Sequence, residues 1–164
     1  DIINEIIVTV VLRNNVNIEN LKECLDSIKN QNCIDLKVCI INDRFWGDYN
    51  IISTLVDYIQ LDNWYYIDTT FNLGTFRSIQ VALELLNASD NDIIINVEPY
   101  LKLLNGDIIK KIVHSFNINN IKILLGNISC GELPIFNYES IKWPEQELAF
   151  NVFLNREYLS LIHI

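Results

Sequence analysis

Polar and acidic side chains follow four apolar segments of this sequence, and their types could take part in binding or catalysis. Each group stands behind a run of apolar residues, so amides and carboxylates recur at the ends of otherwise apolar stretches. In chain order the groups are Arg13-Asn14-Asn15, then Asn42-Asp43-Arg44 with Gly47-Asp48, then Asp68 with Asn72-Leu73-Gly74, and finally Asn96-Val97-Glu98.

Strands and helices alternate along the chain and determine where these groups lie. Apolar runs rich in β-branched residues predict strands over residues 5–12, 36–41, 64–67, 92–97 and 121–125. Apolar residues at helical spacing predict a first helix capped by Asn17, and further helices over residues 49–61, 75–87 and 107–116. The apolar face of the helix over residues 49–61 is predicted to consist of Ile52, Leu55, Val56 and Ile59. Beyond residue 129 the alternation weakens, and we expect a short strand near Ile135 and a helix from Glu145.

This alternation favours parallel strands joined by right-handed crossovers, with helices on both faces of one sheet. The predicted strands are continuous apolar runs, which is typical of strands buried on both faces. Such sheets bind ligands beyond the carboxyl ends of their strands, near the point where the strand order reverses. We therefore predict an α/β fold with a mostly parallel sheet, in which the four polar groups meet at one edge. The alternative is that these groups are ordinary polar loops.

Other familiar site patterns are absent from the sequence. It contains no GxxxxGK[ST] or GxGxxG phosphate-binding loop and no GxSxG nucleophile elbow. His114 and His163 lie far apart, and each is more typical of a surface residue than of a catalyst. No CxxC pair or zinc-binding spacing occurs among Cys24, Cys33, Cys39 and Cys130, so we expect reduced thiols. Reduced thiols favour a reducing compartment, and we therefore expect a cytoplasmic location.

The composition limits the classes of partner. The chain has 164 residues, of which 50% are hydrophobic, and we assign residues 1–164 to a single domain. Its net charge of −9 disfavours nucleic acid and anionic membranes, although one local pocket can still bind a nucleotide. No apolar run approaches the ~20 residues that cross a bilayer. The chain begins at Asp1 and contains no Met, as a piece excised from a longer protein would.

The order and spacing of these segments resemble a family 2 glycosyltransferase with the GT-A fold. The first strand ends in RNN, and LKECLDSIKNQ over residues 21–31 resembles the "cl.Si..Q" helix of the family. IINDRFWGD over residues 40–48 stands where the family has an acidic DD-G-S-x-D loop, and Asn72-Leu73-Gly74 matches its N-x-G turn. Asn96-Val97-Glu98 stands at the D-x-D motif, and residues 151–159 resemble the start of the acceptor side. The resemblance covers nearly the whole chain.

The resemblance implies a site for a nucleotide-sugar and assigns residues to it. The base would be read by Asn42 and Asp43, with Asn14 beside them. The turn of Asn72 and Gly74 would adjoin the nucleotide, and Arg77 would face a diphosphate, a solvated helix residue being the alternative for Arg77. Asn96 and Glu98 hold the metal-motif positions, where Mg²⁺ or Mn²⁺ would bridge the diphosphate.

Several departures from the family pattern bear on activity. Asn96 and Asn42 are neutral where the family has Asp, while Phe45 and Trp46 add bulk that would fill nucleotide space. No E-D motif, the general base of the family, follows the acceptor segment within these residues. We therefore expect a glycosyltransferase-like domain that is catalytically impaired, uses no metal, and serves as a scaffold for a protein partner or for further domains.

Two other functions stay open at this point. The chain would otherwise be an active inverting glycosyltransferase that moves a sugar from a nucleotide-diphosphate donor to an acceptor hydroxyl. In that case Mg²⁺ or Mn²⁺ is its cofactor and Glu98 the main metal ligand. The third alternative is an unrelated doubly wound binding domain.

Overall fold

The computed structural model describes residues 5–13, 16–33, 35–43, 50–69, 72–89, 92–119, 123–125, 129–130, 133–134 and 151–153. These residues form the following elements in chain order: β1 (Ile6–Leu12), α1 (Ile18–Lys29), β2 (Leu36–Asn42), α2 (Asn50–Ile59), β3 (Trp64–Asp68), α3 (Thr75–Leu85), β4 (Ile93–Asn96), α4 (Ile108–Asn119), β5 (Ile123–Leu125), β6 (Ser129–Cys130), β7 (Leu133–Pro134) and β8 (Asn151–Phe153).

Six strands form one sheet in the order β3-β2-β1-β4-β8-β5, while β6 and β7 pair separately. Strands β1 to β4 are mutually parallel where they pair, with Leu12 opposite Asn42 and Thr9 opposite Asn96. β8 runs antiparallel to both β4 and β5. The chain moves outward from β1 through β2 to β3 and then returns to the other side of β1 as β4. The strand order therefore reverses between β1 and β4, where such folds bind ligands.

Helices cover both faces of the sheet. On one face, buried residues of α1, α2 and α4 form one apolar cluster with alternate residues of β1, β2 and β4. On the opposite face, α3 packs through Ile79, Ala82 and Leu83 against the remaining strand residues, such as Ile7 and Ile41. This two-sided burial is why the strands are apolar at successive positions rather than at alternate ones.

The predicted α/β class and the five predicted strands are confirmed. The Asn17 side chain caps α1 as predicted, since it accepts a hydrogen bond of 3.1 Å from the backbone N–H of Asn20. Strand β7 lies next to the strand expected near Ile135, and the helix expected from Glu145 lies outside the described residues. None of the described helices is long and apolar enough to cross a membrane.

Two features of the fold differ from the expectation. The sequence predicts β4 and β5 as successive parallel strands, but the three-residue β8 lies between them. The predicted apolar face of α2 included Ile52 and Val56, yet both are exposed. The helix is instead turned so that Ile51, Leu55 and Tyr58 are buried. Tyr58 can occupy this face because its hydroxyl donates a hydrogen bond of 2.7 Å to Asp26 at the rim, which satisfies its polar end.

The cysteines match the expectation of reduced thiols where the structure describes them. Cys24 and Cys39 are buried with free thiols, and Cys33 is half-buried. Burial raises the pKa of the Cys39 thiol to about 12. Burial, followed by the nearby charge of Glu98, raises the pKa of the Cys24 thiol to about 12 as well. Both thiols are therefore neutral and unreactive at ordinary pH.

Candidate functional site

A cavity of about 350 Å³ opens at the carboxyl edge of the sheet, where the strand order reverses. This volume lies within the range of small-molecule sites. The end of β1, the first turn of α1, the start of α3 and the segment after β4 all contribute to its walls. The lining residues are Val11, Arg13, Val16, Asn17, Asn20, Thr75, Glu98, Pro99 and Tyr100.

Arg13 directly follows β1 and extends over this edge. Its Nη1 donates a hydrogen bond of 3.2 Å to Oγ1 of Thr75, the first residue of α3. Its Nε lies 3.4 Å from Oδ2 of Asp43, and the Arg13 side chain is 42% exposed. The guanidinium group is thus held at Nε and Nη1, while the side chain remains partly exposed to solvent. The sequence-based assignment left out Arg13, as it did the other lining residues except Glu98, and the only signal for Arg13 is its position directly after a strand.

Asp43 follows β2 and is fully buried. Its Oδ1 accepts hydrogen bonds from the hydroxyl of Thr69 at 3.0 Å and from the backbone N–H of Leu73 at 2.8 Å. Its Oδ2 accepts one of 2.9 Å from the backbone N–H of Gly74. Three neutral donors and Arg13 therefore surround the carboxylate. Asp43 ties the end of β2 to the turn that starts α3, and its predicted contact with a nucleotide base stays a prediction.

Gly74 precedes α3 in a conformation that other residues rarely adopt, with φ 88° and ψ 161°. An added Cβ would meet no atom within 4 Å, so the position requires glycine because of its backbone and not because of crowding. This backbone turn directs the Gly74 N–H toward Asp43 and places Thr75 at the cavity wall.

Asn96, which is predicted to hold the first position of a metal motif, lies inside the sheet. It is the last residue of β4, it pairs with Thr9 of β1, and it is 2% exposed. Its Oδ1 accepts a hydrogen bond of 3.0 Å from the Thr9 hydroxyl. The Asn96 amide oxygen thus provides the hydrogen-bond acceptor for the Thr9 hydroxyl on the neighbouring strand. Its predicted metal role stays a prediction.

Glu98 stands two residues beyond β4 at the cavity wall and is half-buried. Burial raises the pKa of its carboxyl, and the positive charge of Arg13 opposes part of that rise. Next to it, Pro99 is buried and Tyr100 is 63% exposed, so an aromatic ring stands at the cavity rim. Glu98 is the one carboxylate among the described residues that line the cavity.

The segment that carries Glu98 is held by α1. The Cys24 thiol donates to the carbonyl of Glu98 at 3.5 Å, and the Ser27 hydroxyl accepts from the N–H of Leu103 at 3.0 Å. Gln31 donates to the carbonyl of Asn105 at 2.6 Å and accepts from the N–H of Ile109, in the first turn of α4, at 3.1 Å. Ser27 and Gln31 belong to the "cl.Si..Q" pattern, and their hydrogen bonds hold the segment between Glu98 and α4 in place.

None of the remaining predicted residues that the structure describes lines the cavity. Asn42, at the end of β2, donates a hydrogen bond of 3.0 Å from Nδ2 to the Tyr66 hydroxyl. Asn72 and Arg77 are exposed, and neither is among the residues that line the cavity. Asn14 lies outside the described residues, as do Phe45 and Trp46, whose bulk was expected to fill nucleotide space.

The chemistry of this arrangement is that of a binding site with one cation and one half-buried carboxyl. Amides, a hydroxyl and a tyrosine ring suit the hydroxyls and rings of a sugar or a nucleoside. Within the described part of the chain, no three His, Cys, Asp or Glu side chains come together in a way that could hold a metal ion. Glu98 and Asn96 alone would be a sparse ligand set for Mg²⁺ or Mn²⁺.

Solved glycosyltransferase structures share this fold. A mannosyltransferase, PcManGT from Pyrobaculum calidifontis in complex with GDP-Man and Mn²⁺, is 14% identical with a TM-score of 0.61, over 74% of this chain and 35% of that one. S. aureus TarS 1-349 in complex with UDP-GlcNAc is 16% identical with a TM-score of 0.63, over 82% of this chain and 37% of that one. No protein-family model matches the sequence, and a comparison with curated proteins found no match.

At these identities the likeness establishes the fold, which is a GT-A-like α/β fold. The chain spans little more than a third of the length of these two structures. The predicted fold class is therefore confirmed in both its general and its glycosyltransferase-like form.

Proposed function

We propose that this chain is a family 2 glycosyltransferase-like domain with impaired catalysis, and that it serves as a scaffold or interaction domain. It would occupy the cytoplasm, and its partner would be another protein or further domains of a longer chain. The fold supports a nucleotide-sugar as the ancestral ligand class, since TarS and PcManGT are glycosyltransferase-fold structures solved with UDP-GlcNAc and GDP-Man.

One observation carries the proposal of impaired catalysis. The Asn96 side chain is 2% exposed and accepts a hydrogen bond from the Thr9 hydroxyl. The side chain at the first position of the metal motif therefore forms a hydrogen bond within the sheet. Glu98 is left as the single carboxylate at the described cavity wall. A hard divalent cation that bridges a diphosphate needs several anionic oxygen ligands, and one half-buried carboxyl supplies few of them.

Isothermal titration with a transfer assay tests this proposal. The chain is titrated with UDP, GDP and dTDP, once in Mn²⁺ and once in EDTA, and is incubated with UDP-GlcNAc and GDP-mannose to detect sugar release. PcManGT with GDP-mannose and Mn²⁺ is the positive control. We expect that Mn²⁺ does not strengthen nucleotide binding and that no sugar is released. Metal-dependent micromolar binding or sugar release above the protein-free rate would contradict the proposal.

The second candidate is an active inverting glycosyltransferase that uses Mg²⁺ or Mn²⁺. The observation in its favour is the cavity itself, which lies where the strand order reverses and includes Glu98 in its wall. Under this alternative Glu98 is the main metal ligand, so Glu98→Gln would abolish Mn²⁺-dependent nucleotide binding. The same variant has the opposite expected effect under the inference that follows.

A further inference from the structure

A diphosphate in this cavity would need a positive charge to offset its own charge. In a glycosyltransferase with a complete metal motif, a divalent cation supplies that charge. The described residues that line the cavity include a single cationic side chain, Arg13. The hydrogen-bond donors that Arg13 has left determine whether it can bind an anion.

Among the described residues, the contacts of Arg13 occupy only two of its hydrogen-bond donors. A guanidinium group has five N–H donors in one plane. Nε faces Asp43 and one N–H of Nη1 reaches Thr75, so three of five donors have no partner within the described part of the chain. These two contacts anchor the guanidinium group through Nε and Nη1. Both N–H groups of Nη2 and one of Nη1 remain, in a side chain that is 42% exposed, and adjacent N–H groups of this kind match two phosphate oxygens.

Asp43 has hydrogen-bond donors other than Arg13. That carboxylate already accepts hydrogen bonds from the Thr69 hydroxyl and from the N–H groups of Leu73 and Gly74. The separation of 3.4 Å between Arg13 Nε and Asp43 Oδ2 is longer than any of these three contacts, of which the longest is 3.0 Å. Asp43 therefore orients the guanidinium group and offsets part of its charge, while three neutral donors also stabilise the carboxylate.

Glu98 is the carboxylate among the described lining residues that opposes an anion in this cavity. Its carboxyl is half-buried at the cavity wall, and an ionised carboxylate there repels a diphosphate. A neutral side chain at this position should therefore strengthen the binding of a diphosphate. The amides of Asn17 and Asn20 and the ring of Tyr100 suit the uncharged nucleoside part of such a ligand.

We infer that Arg13 takes the place of a divalent cation in this domain, so that the cavity binds a nucleoside diphosphate without metal. This inference rests on the proposed loss of the metal site. It assigns the domain a ligand that it binds without transferring a sugar, as a sensor or docking domain would.

The test measures binding of UDP, inorganic pyrophosphate and uridine to the 164-residue chain in EDTA by isothermal titration. Losing charge-assisted hydrogen bonds to phosphate costs about tenfold or more in affinity. We therefore expect Arg13→Gln to weaken UDP at least about tenfold and to leave uridine unchanged. Arg13→Lys should fall between wild type and Arg13→Gln, because it keeps the charge but loses the fork. Pyrophosphate binding of equal strength to UDP would show that phosphate recognition alone accounts for the site.

Glu98→Gln and Lys29→Gln complete the design. Glu98→Gln should tighten UDP binding in EDTA, because it removes the opposing charge. Lys29→Gln removes an exposed cation at the far end of α1, outside the cavity, and should change nothing. Thermal unfolding of each variant checks that it is folded. Should Arg13→Gln be too unstable, Arg13→Lys and Glu98→Gln still decide the question through opposite changes in affinity.

The outcomes separate this inference from the proposed function. UDP binding that requires Mn²⁺ and is lost in Glu98→Gln overturns both. No binding of UDP, GDP or dTDP in EDTA or in Mn²⁺ overturns the inference alone, because impaired catalysis survives it. Metal-free UDP binding that Arg13→Gln leaves unchanged also overturns the role of Arg13. Metal-free binding weakened by Arg13→Gln and strengthened by Glu98→Gln supports the inference.

Discussion

At residue 96 one side-chain atom separates a structural amide from a metal-ligand carboxylate. Asn96→Asp restores the residue type of the metal motif, but it places a carboxylate where the amide is 2% exposed beside Thr9. We expect Asn96→Asp to lower the free energy of unfolding by about 1–3 kcal/mol, because an unpaired buried charge loses its hydration. Urea unfolding at neutral pH measures the change.

Asn87→Asp is the matched control for that substitution. Asn87 is exposed and has a positive φ of 54°, a conformation that Asp also tolerates, so its stability should change little. An Asn96→Asp variant that is as stable as wild type and binds Mn²⁺ would show that this position opens to the cavity. It would then count in favour of the active transferase.

Glu98 should make stability depend on pH in a defined direction. Burial raises the pKa of its carboxyl in the folded chain above the unfolded value, so ionisation of Glu98 favours unfolding. Its contribution is fully favourable below the unfolded pKa and is lost as pH rises through the folded pKa. We expect Glu98→Gln to raise the urea midpoint at neutral pH, with a gain that disappears toward a pH of about 4. A gain that grows as pH falls would contradict this assignment.

The site could be predicted from the sequence only in part, and Arg13 and Asn96 show why. Both stand at the ends of apolar strands, which the sequence reveals. Whether such a residue faces the cavity or the sheet depends on the neighbouring strand. Asn96 pairs with Thr9, which is 87 residues earlier, and Arg13 is oriented by Asp43 and Thr75. No local pattern encodes these partners.

At the scale of elements, Gln31 joins three parts of the chain that frame the site. Its side chain contacts the carbonyls of Ser27 and Asn105 and the N–H of Ile109. Gln31→Ala leaves buried backbone groups unpaired, and we expect a loss of about 1–3 kcal/mol in the free energy of unfolding. Hydrogen exchange should rise between residues 98 and 109 before it rises in the strands. Gln60→Ala, at an exposed glutamine, is the control.

If Gln31→Ala and Gln60→Ala exchange alike in that segment, the contacts of Gln31 do not hold it in place. If the effect of Gln31→Ala is local, hydrogen-exchange protection in β1 and β4 should equal that of wild type while the segment exchanges faster. A uniform rise across all strands would mean that Gln31 stabilises the whole domain and has no special link to the Glu98 segment.

The start of α3 depends on the backbone of Gly74. With φ 88° and ψ 161°, an L-residue is strained there, and a Cβ would meet no atom within 4 Å. We expect Gly74→Ala to lower the free energy of unfolding by about 1–3 kcal/mol through backbone strain alone. Leu85→Ala, at an exposed residue at the other end of α3, is the control for chemical denaturation. Equal stability of Gly74→Ala and wild type would show that the turn adapts at no cost.

Local patterns predict the elements better than their order in the sheet. Strands β1 to β4 and the intervening helices follow from apolar runs and helical spacing, because two-sided burial leaves a continuous signal. The three-residue β8 carries no such signal, and only its antiparallel pairing with β4 and β5 places it in the sheet. The predicted apolar face of α2 is one residue out of phase because it omits Tyr58. The Tyr58 ring is buried, but its hydroxyl makes the residue look polar in the sequence.

At the scale of the whole molecule, the net charge and the local site act in opposite directions. The chain carries a net charge of −9, while Arg13 is the one cation at the described cavity wall. An approaching diphosphate therefore meets repulsion at long range and attraction only at contact. Long-range fields control association rates, whereas short contacts act mainly on dissociation.

This opposition predicts an unusual dependence of UDP kinetics on salt, provided that Arg13 binds the diphosphate. Salt shortens the Debye length from about 20 Å or more in dilute buffer to about 8 Å at 0.15 M, which removes repulsion by distant charges first. We expect the association rate constant of UDP to rise with salt, and the dissociation rate constant to rise as well because the Arg13 contact is weakened. Stopped-flow tryptophan fluorescence in EDTA measures both, with neutral uridine as the control that should show no trend. An association rate that falls with salt would mean that a positive surface outside the described cavity steers the ligand, and Arg13 would then not be the main source of attraction.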